Sequence, residues 1–152
     1  MNAESVLRPI GGGKFLSGVN RYVFCFVFDS FGRVLVLRRA DFMRARPGEW
    51  DLPGGGLDDG EAYEIGVRRE ITEETGLELG KLELVVRKGG EWQDGKHEFS
   101  YFRANAVAGE VRLSEEHTEY EWHEPLVAAT MVQYKPHLFG LAETSRIAGL
   151  KP

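Results

Sequence analysis

Apolar and polar positions divide the chain into short extended stretches and two longer helical ones. Val19 to Phe28 is a nearly unbroken run rich in Val, Phe and Tyr, as in a buried strand. Asp29-Ser30-Phe31-Gly32 supplies a turn, and Val34 to Arg38 reads as a second strand, so the two predict a hairpin. A polar stretch with a Pro47-Gly48 turn leads to Trp50-Asp51-Leu52 and then to Pro53-Gly54-Gly55-Gly56. Three glycines in a row imply unusual backbone angles or a close approach of main chain to another group. The pattern predicts a loop over Gly54 to Asp59 and a helix over Gly60 to Thr75. Acidic residues at Asp58 to Glu61 suit the positive end of its dipole, and Gly76 suits a left-handed residue just past its end. Leu82 to Arg87 reads as a strand, Gly89 to Lys96 as a polar loop, and Glu98 to Val107 as a returning strand. A short extended piece is expected over Gly109 to Leu113, and a strand over Glu119 to His123 with Tyr120 and Trp122 on one face. The chain turns helical from Pro125, and Pro136 opens a last helix to about Ala148. Gly11-Gly12-Gly13 separates a flexible arm, 1–18, from a single domain, 19–150. Strands, helix, strands, helix in that order imply an α+β or α/β sandwich.

Composition narrows the function classes. With 152 residues, 42% hydrophobic and 28% charged, the chain has the make-up of one ordinary globular domain with a real core. A net charge of −5 argues against a broad basic surface for nucleic-acid polymer, while small anionic ligands remain open if the site brings its own cations. Cys25 is the sole cysteine, which excludes an internal disulfide and a cysteine metal cluster; in its apolar run it reads as a core residue. Met1 to Ser17 lacks an apolar signal core, and no stretch approaches the length of a membrane span. The expectation is a cytoplasmic protein with no membrane partner, a monomer or homodimer.

One segment departs from ordinary helix composition. Glu70, Glu73 and Glu74 stand at i, i+3 and i+4, which puts three carboxylates on one face. Like charges at that spacing repel by a few tenths of a kcal/mol per pair. A solvated acidic face is the ordinary explanation of such a pattern. The alternative is a platform for a small hard cation, which takes oxygen ligands and shares them with substrate phosphates. The surroundings favour the second explanation. Gly55, Glu61, Arg69, Glu70, Glu73, Glu74 and Gly76, with apolar Ile71 and Leu77, form a spaced pattern whose joint chance is on the order of 10⁻⁹ per start position.

This pattern resembles the Nudix box at every defined position, with weaker flanking similarity over about Val19 to Trp122. The resemblance implies a Nudix fold, a mixed β-sheet sandwiched between α-helices. It implies a MutT-like hydrolase that uses Mg²⁺, or Mn²⁺, to cleave with water the pyrophosphate bond of a nucleoside diphosphate joined to another group. Glu70 and Glu74 are then the principal metal ligands, and Glu73 a further ligand or the general base; which glutamate takes the proton stays open. Glu61 and Arg69 become a structural pair tying loop to helix, with Arg69 also bracing the catalytic glutamates. Gly54 offers a metal-binding carbonyl, and Gly55 lets main chain approach the substrate. Relatives often add an acidic ligand from a loop just before a Trp; Glu116 fits best, then Glu115 and Glu119. Arg39 matches an arginine that meets substrate phosphate in some triphosphate-cleaving relatives. Trp92, Tyr101, Phe102, Tyr134 and Phe139 are candidates for a base-stacking wall. Of the histidines, His117 lies beside Glu116, and none of the four shows ligand spacing. Glu91 to Gly95 carries neither the proline of ADP-ribose-specific relatives nor the tyrosine of dinucleoside-polyphosphate ones, so a nucleoside triphosphate-type substrate is expected. The alternative is a non-catalytic Nudix-fold module that senses a nucleotide; the completeness of the box argues against it.

Overall fold

A computed structural model of the chain describes residues 18–147. All but the last residue of the arm expected over 1–18, and the helix end expected near Ala148, lie outside the described residues. The centre of the sheet is β1 (Val19–Phe28), which pairs in parallel with β7 (Gly95–Ala108) over its whole length, from Val19 opposite Lys96 to Phe28 opposite Asn105. β2 (Val34–Arg39) follows β1 across the expected turn and carries β3 (Trp50–Asp51) and β8 (His117–His123), both antiparallel to it. The glycine run forms a short strand of its own, β4 (Gly54–Gly56), paired with Tyr22 to Phe24 of β1. β5 (Glu78–Leu79) and β6 (Glu83–Trp92) run antiparallel to β7.

Alternation along β1 decides the two faces. Val23, Cys25 and Val27 meet Val67 and Ile71 of α1 (Tyr63–Thr75), together with Leu35 and Leu37. Phe24 and Phe26 point the other way, into a second core that α2 (Pro125–Met131) and α3 (Lys135–Ile147) close with Ala128, Val132 and Leu141. Each fully buried aliphatic or Phe side chain stabilises the fold by about 1.5–3 kcal/mol, so the layers hold through these two cores. Gly140 permits α3 to press against the sheet, since a Cβ there would stand 2.9 Å from both Phe26 and Tyr101. The result is the expected mixed sheet between helices, an α+β fold. Burial pushes the Cys25 thiol well above its ordinary range, so it is an inert core residue. Among the described residues no helix is long and apolar enough to cross a membrane.

Four local expectations change. Gly54 to Gly56, expected as the start of a loop to Asp59, is β4, because pairing with β1 holds it extended. The helix starts at Tyr63 rather than Gly60, because Gly60 sits at φ +79° and Glu61 N–H closes a turn onto Asp58 C=O. Gly89 to Lys96 is not a loop: β6 continues to Trp92, and only Gln93-Asp94 turn the chain into Gly95. Gly109 to Leu113 is not a strand. It passes the end of α1, where Arg112 N–H satisfies the orphan carbonyl of Thr75 at 2.8 Å.

Candidate functional site

α1 and β4 lie against each other, and the acidic face of the helix meets the glycine strand. Gly54 holds φ +143°, and a Cβ there would lie 2.1 Å from the carbonyl oxygen of Val23, so only glycine fits. Its N–H donates to Glu74 Oε1 at 2.9 Å. Gly55 has its missing Cβ 2.9–3.0 Å from the Glu70 carboxylate, so any side chain would displace that group. The three glutamates differ in exposure along the face: Glu74 is buried, Glu70 half-buried and Glu73 exposed. Burial pushes Glu74 well above the ordinary glutamate value, and the nearby charges of Glu70, Asp51 and Glu116 add to this against the Gly54 hydrogen bond. Glu70 is pushed up to about 7, by burial first and by Glu73 and Glu116, against Arg69. Carboxylates crowded this way favour a cation.

The fit to a small hard cation rests on that crowded set of carboxylate oxygens. Among the described residues no three His, Cys, Asp or Glu side chains converge into a ready-made cage. A Mg²⁺-type ion keeps several waters and substrate oxygens in its shell, so it does not require such a cage. Glu116 stands in the loop before β8, its carbonyl accepting from Ala40 N–H at 2.8 Å, and its charge is felt at both Glu70 and Glu74. Glu119 is instead bonded to Arg38 Nη1 at 3.0 Å.

Arg69 gathers the segment. Its Nε and Nη2 donate to the two oxygens of Glu61 at 2.7 and 2.9 Å, and its Nη1 reaches Glu70 and Glu73 at 3.1 and 3.2 Å. Glu61 Oε1 also accepts from Asp58 N–H at 2.9 Å, so this pair closes the turn between β4 and α1. The Arg69 hydrogen bond holds the Glu61 carboxyl below its usual range, against partial burial.

The other side of β4 opens onto a cavity of about 440 Å³. Gly54, Gly55 and Gly56 form one wall, and Arg39, Arg46 and Trp92 belong to the others. A second cavity of about 590 Å³ adjoins it, shares Arg46, Trp92, Phe99 and Tyr134, and reaches Phe139. Trp92 stands edge-on to Phe99 at 5.8 Å, and Phe99 stacks on Tyr22 at 5.1 Å. The expected aromatic wall is corrected in one place. Phe102 lies in the core on the α1 side, since β7 alternation turns it away. Tyr101 borders the outer cavity from a buried position, with its hydroxyl 2.8 Å from His137 Nδ1.

Arg39 lines the inner cavity, with its Nη1 bonded to Asp51 Oδ2 at 3.0 Å and its Nε to Ala45 C=O at 2.9 Å. Asp51 is almost wholly buried, and burial alone would raise its pKa. His137, Arg46 and Arg39 outweigh this and hold it well below the carboxylate range. The sequence reading passed over Asp51, Arg46 and His137. Their signal was a charged residue inside a strand and a histidine on the buried face of α3, three residues after Tyr134. His117, the histidine noted beside Glu116, is buried with Nδ1 unpartnered, and burial pushes it down to about 4.

A mixed sheet between helices, with a glycine strand facing an acidic helix, defines a phosphate-chemistry enzyme of the Nudix type. The NUDIX domain model matches residues 19–140. The chain is 30% identical over 141 residues to the nucleoside triphosphatase NudI of Escherichia coli O139:H28, covering 86% of this chain and 97% of that protein. A crystal structure of a MutT protein from Methanosarcina mazei Go1 superposes with a TM-score of 0.73 at 28% identity, over 86% of this chain and 95% of that one. A C. elegans Ap4A hydrolase shares the fold, with a TM-score of 0.69 at 20% identity over 86% and 98% of the two chains. The chain belongs to the Nudix family and is a MutT-like Nudix pyrophosphohydrolase.

Proposed function

We propose that the protein hydrolyses the pyrophosphate bond of a nucleoside triphosphate-type substrate in the cytoplasm, with Mg²⁺ or Mn²⁺ held by Glu70, Glu74 and Glu116 and the Gly54 carbonyl. The observation that carries this reading is the glycine strand with crowded, proton-retaining carboxylates on one side and an arginine-and-aromatic cavity on the other. The triphosphate assignment draws on the similarity to NudI. A bound divalent ion supplies charge neutralisation at the phosphate oxygens and lowers the pKa of water.

The remaining work falls to this chain's own groups. Arg39 binds phosphate from the cavity side, where a guanidinium fork suits oxygen acceptors. Trp92 and Tyr134 hold the base by its faces. Arg69 grips Glu73 by Oε1, which leaves Oε2 free to accept the proton of the attacking water. Glu61, by fixing Arg69, positions that whole row. The test is a panel of NTPs and dNTPs, nucleotide sugars, ADP-ribose and dinucleoside polyphosphates, scored for released phosphate species with Mg²⁺. Nucleoside triphosphates should be cleaved at least tenfold more efficiently than the rest. Glu70→Gln should lose at least about 100-fold in kcat, as for other main electrostatic groups. Equal turnover across the panel would sink the substrate assignment.

A further inference from the structure

Arg46 is the single described non-glycine residue with a positive φ, at +50°, a conformation that L side chains rarely adopt. It borders both cavities. Its guanidinium lies over the Tyr134 ring at 4.1 Å, and its Nη2 donates to Asp51 Oδ2 at 3.2 Å. Its Nη1 is buried without a hydrogen-bond partner, and its ion pair with Glu49 Oε1 spans 3.8 Å. A strained backbone and a shielded, unsatisfied cationic donor beside a cavity mark a group held ready for something else.

What holds it is a chain of buried groups across four elements. Asp51 accepts from Leu52 N–H at 2.8 Å, Arg39 at 3.0 Å, Arg46 at 3.2 Å and His137 Nε2 at 2.5 Å. Four donors fill the acceptor sites of its two oxygens, which fixes the carboxylate in place. Burial pushes the His137 pKa down, and Asp51 opposes that. His137 Nε2 faces Asp51 Oδ1, and Nδ1 stands 2.8 Å from the Tyr101 hydroxyl. Tyr101, His137 and Asp51 thus form one connected series from β7 through α3 to β3. It ends on the two cavity arginines.

We propose that Arg46 is a substrate-binding residue whose free Nη1 donates to an oxygen acceptor of the bound nucleotide, and that His137, through Asp51, is the positioning residue that aims it. The proposal rests on the nucleotide reading above. His137 thereby sets substrate affinity without lining either cavity, while the carboxylates of α1 set turnover.

The test uses the full-length protein. Binding of α,β-methylene-ATP and α,β-methylene-GTP is measured by calorimetry, and KM and kcat with ATP and GTP in Mg²⁺. Arg46→Met should weaken binding and raise KM about tenfold or more, with kcat within about threefold. His137→Phe, which keeps a ring and removes both hydrogen bonds, should do the same. His137→Gln, which keeps a donor near the Nε2 position, should recover most of the affinity. His137→Phe placed on Arg46→Met should add less than about twofold, because one route is already cut. In the wild type, the His137 Nε2 proton resonance should shift when either analogue binds, a change that a purely structural histidine would not show. Should the Phe variant fail to fold, Tyr101→Phe carries the same comparison, with an expected loss of about threefold. Unchanged affinity in the folded His137 or Tyr101 variants overturns the positioning role, as do fully additive losses with Arg46→Met. A wild-type protein that binds neither analogue and cleaves neither triphosphate overturns the nucleotide reading itself, and the inference with it.

Discussion

Glu74→Gln should make the metal-free protein more stable while abolishing its chemistry. Glu74 is buried against Gly54 N–H and faces the charges of Glu70, Asp51 and Glu116. Both Glu70 and Glu74 have folded pKa values raised above the ordinary one, so the native protein holds protons that the unfolded chain releases. The sign follows from that: stability without metal is greatest at low pH and falls as pH rises from about 4.5 through about 7 and beyond. For Glu70 alone, the gap between 4.5 and about 7 is roughly 3 kcal/mol of opposition to the charged form, at about 1.4 kcal/mol per pH unit. A glutamine at 74 keeps an oxygen for Gly54 N–H and removes the buried charge that Glu70, Asp51 and Glu116 oppose, an opposition of the same kind. At pH 8–9 in EDTA the variant should gain about 2 kcal/mol, or about 4–8 °C in Tm for a chain of this length. The two proteins should converge below about pH 5. Saturating Mg²⁺ should reverse the order, since about 100 Kd of ligand adds roughly 2.7 kcal/mol to the wild type and little to the variant. Turnover should fall at least about 100-fold. Calorimetric melts at several pH values, with and without Mg²⁺, decide it. A variant that melts below wild type at pH 9 in EDTA, or that keeps its turnover, would refute the reasoning.

Other outcomes follow from the same geometry. Arg69→Ala and Glu61→Ala should each lower Tm and rate, and their double-mutant cycle should show coupling of about 1 kcal/mol or more; strictly additive losses would deny the pairing. Because Glu61 is held below its ordinary pKa, that contribution is present above about pH 4.5 and should be lost as pH falls through the folded value. Gly54→Ala should cost the fold, since its Cβ would strike the Val23 carbonyl. Gly55→Ala should leave Tm within a few degrees yet cut activity about tenfold by pushing the Glu70 carboxylate aside. Glu116→Gln should lower kcat more than it weakens Mn²⁺ binding to the free protein, as read by steady-state kinetics and titration, and Glu115→Gln should do neither. Equal mild effects would leave the loop merely acidic.

The fold and the acidic segment were largely legible because their signals are local. The Val and Phe run of β1, the turn after it, the glycine run and the i, i+3, i+4 glutamates all lie within a few residues of what they specify. β6 was read short because Lys88, Gly89, Gly90 and Glu91 have no strand-like alternation. Their extended form comes from pairing with β7, which a local pattern does not carry. The parallel register of β1 and β7 was equally hidden, since it joins stretches more than seventy residues apart. The Asp51 network failed to show for the same reason. Asp51, Tyr101 and His137 carry no mutual spacing, and each looks ordinary until the sheet and α3 bring them together.

The three-glycine strand has a consequence for how such a protein diversifies. A strand with no side chains is a partition one backbone thick, with the crowded carboxylates on one side and the arginine-and-aromatic chamber on the other. Most of the chamber's other walls come from the β6–β7 hairpin and the residues before and within α3, segments that share no turn or helix with the glutamates. Mutations there can change what is held without moving what cleaves it. Descendants of one ancestor can thus exchange substrates while keeping their box unaltered. The box names the bond to be broken, and the walls beyond Trp92 name the molecule that contains it.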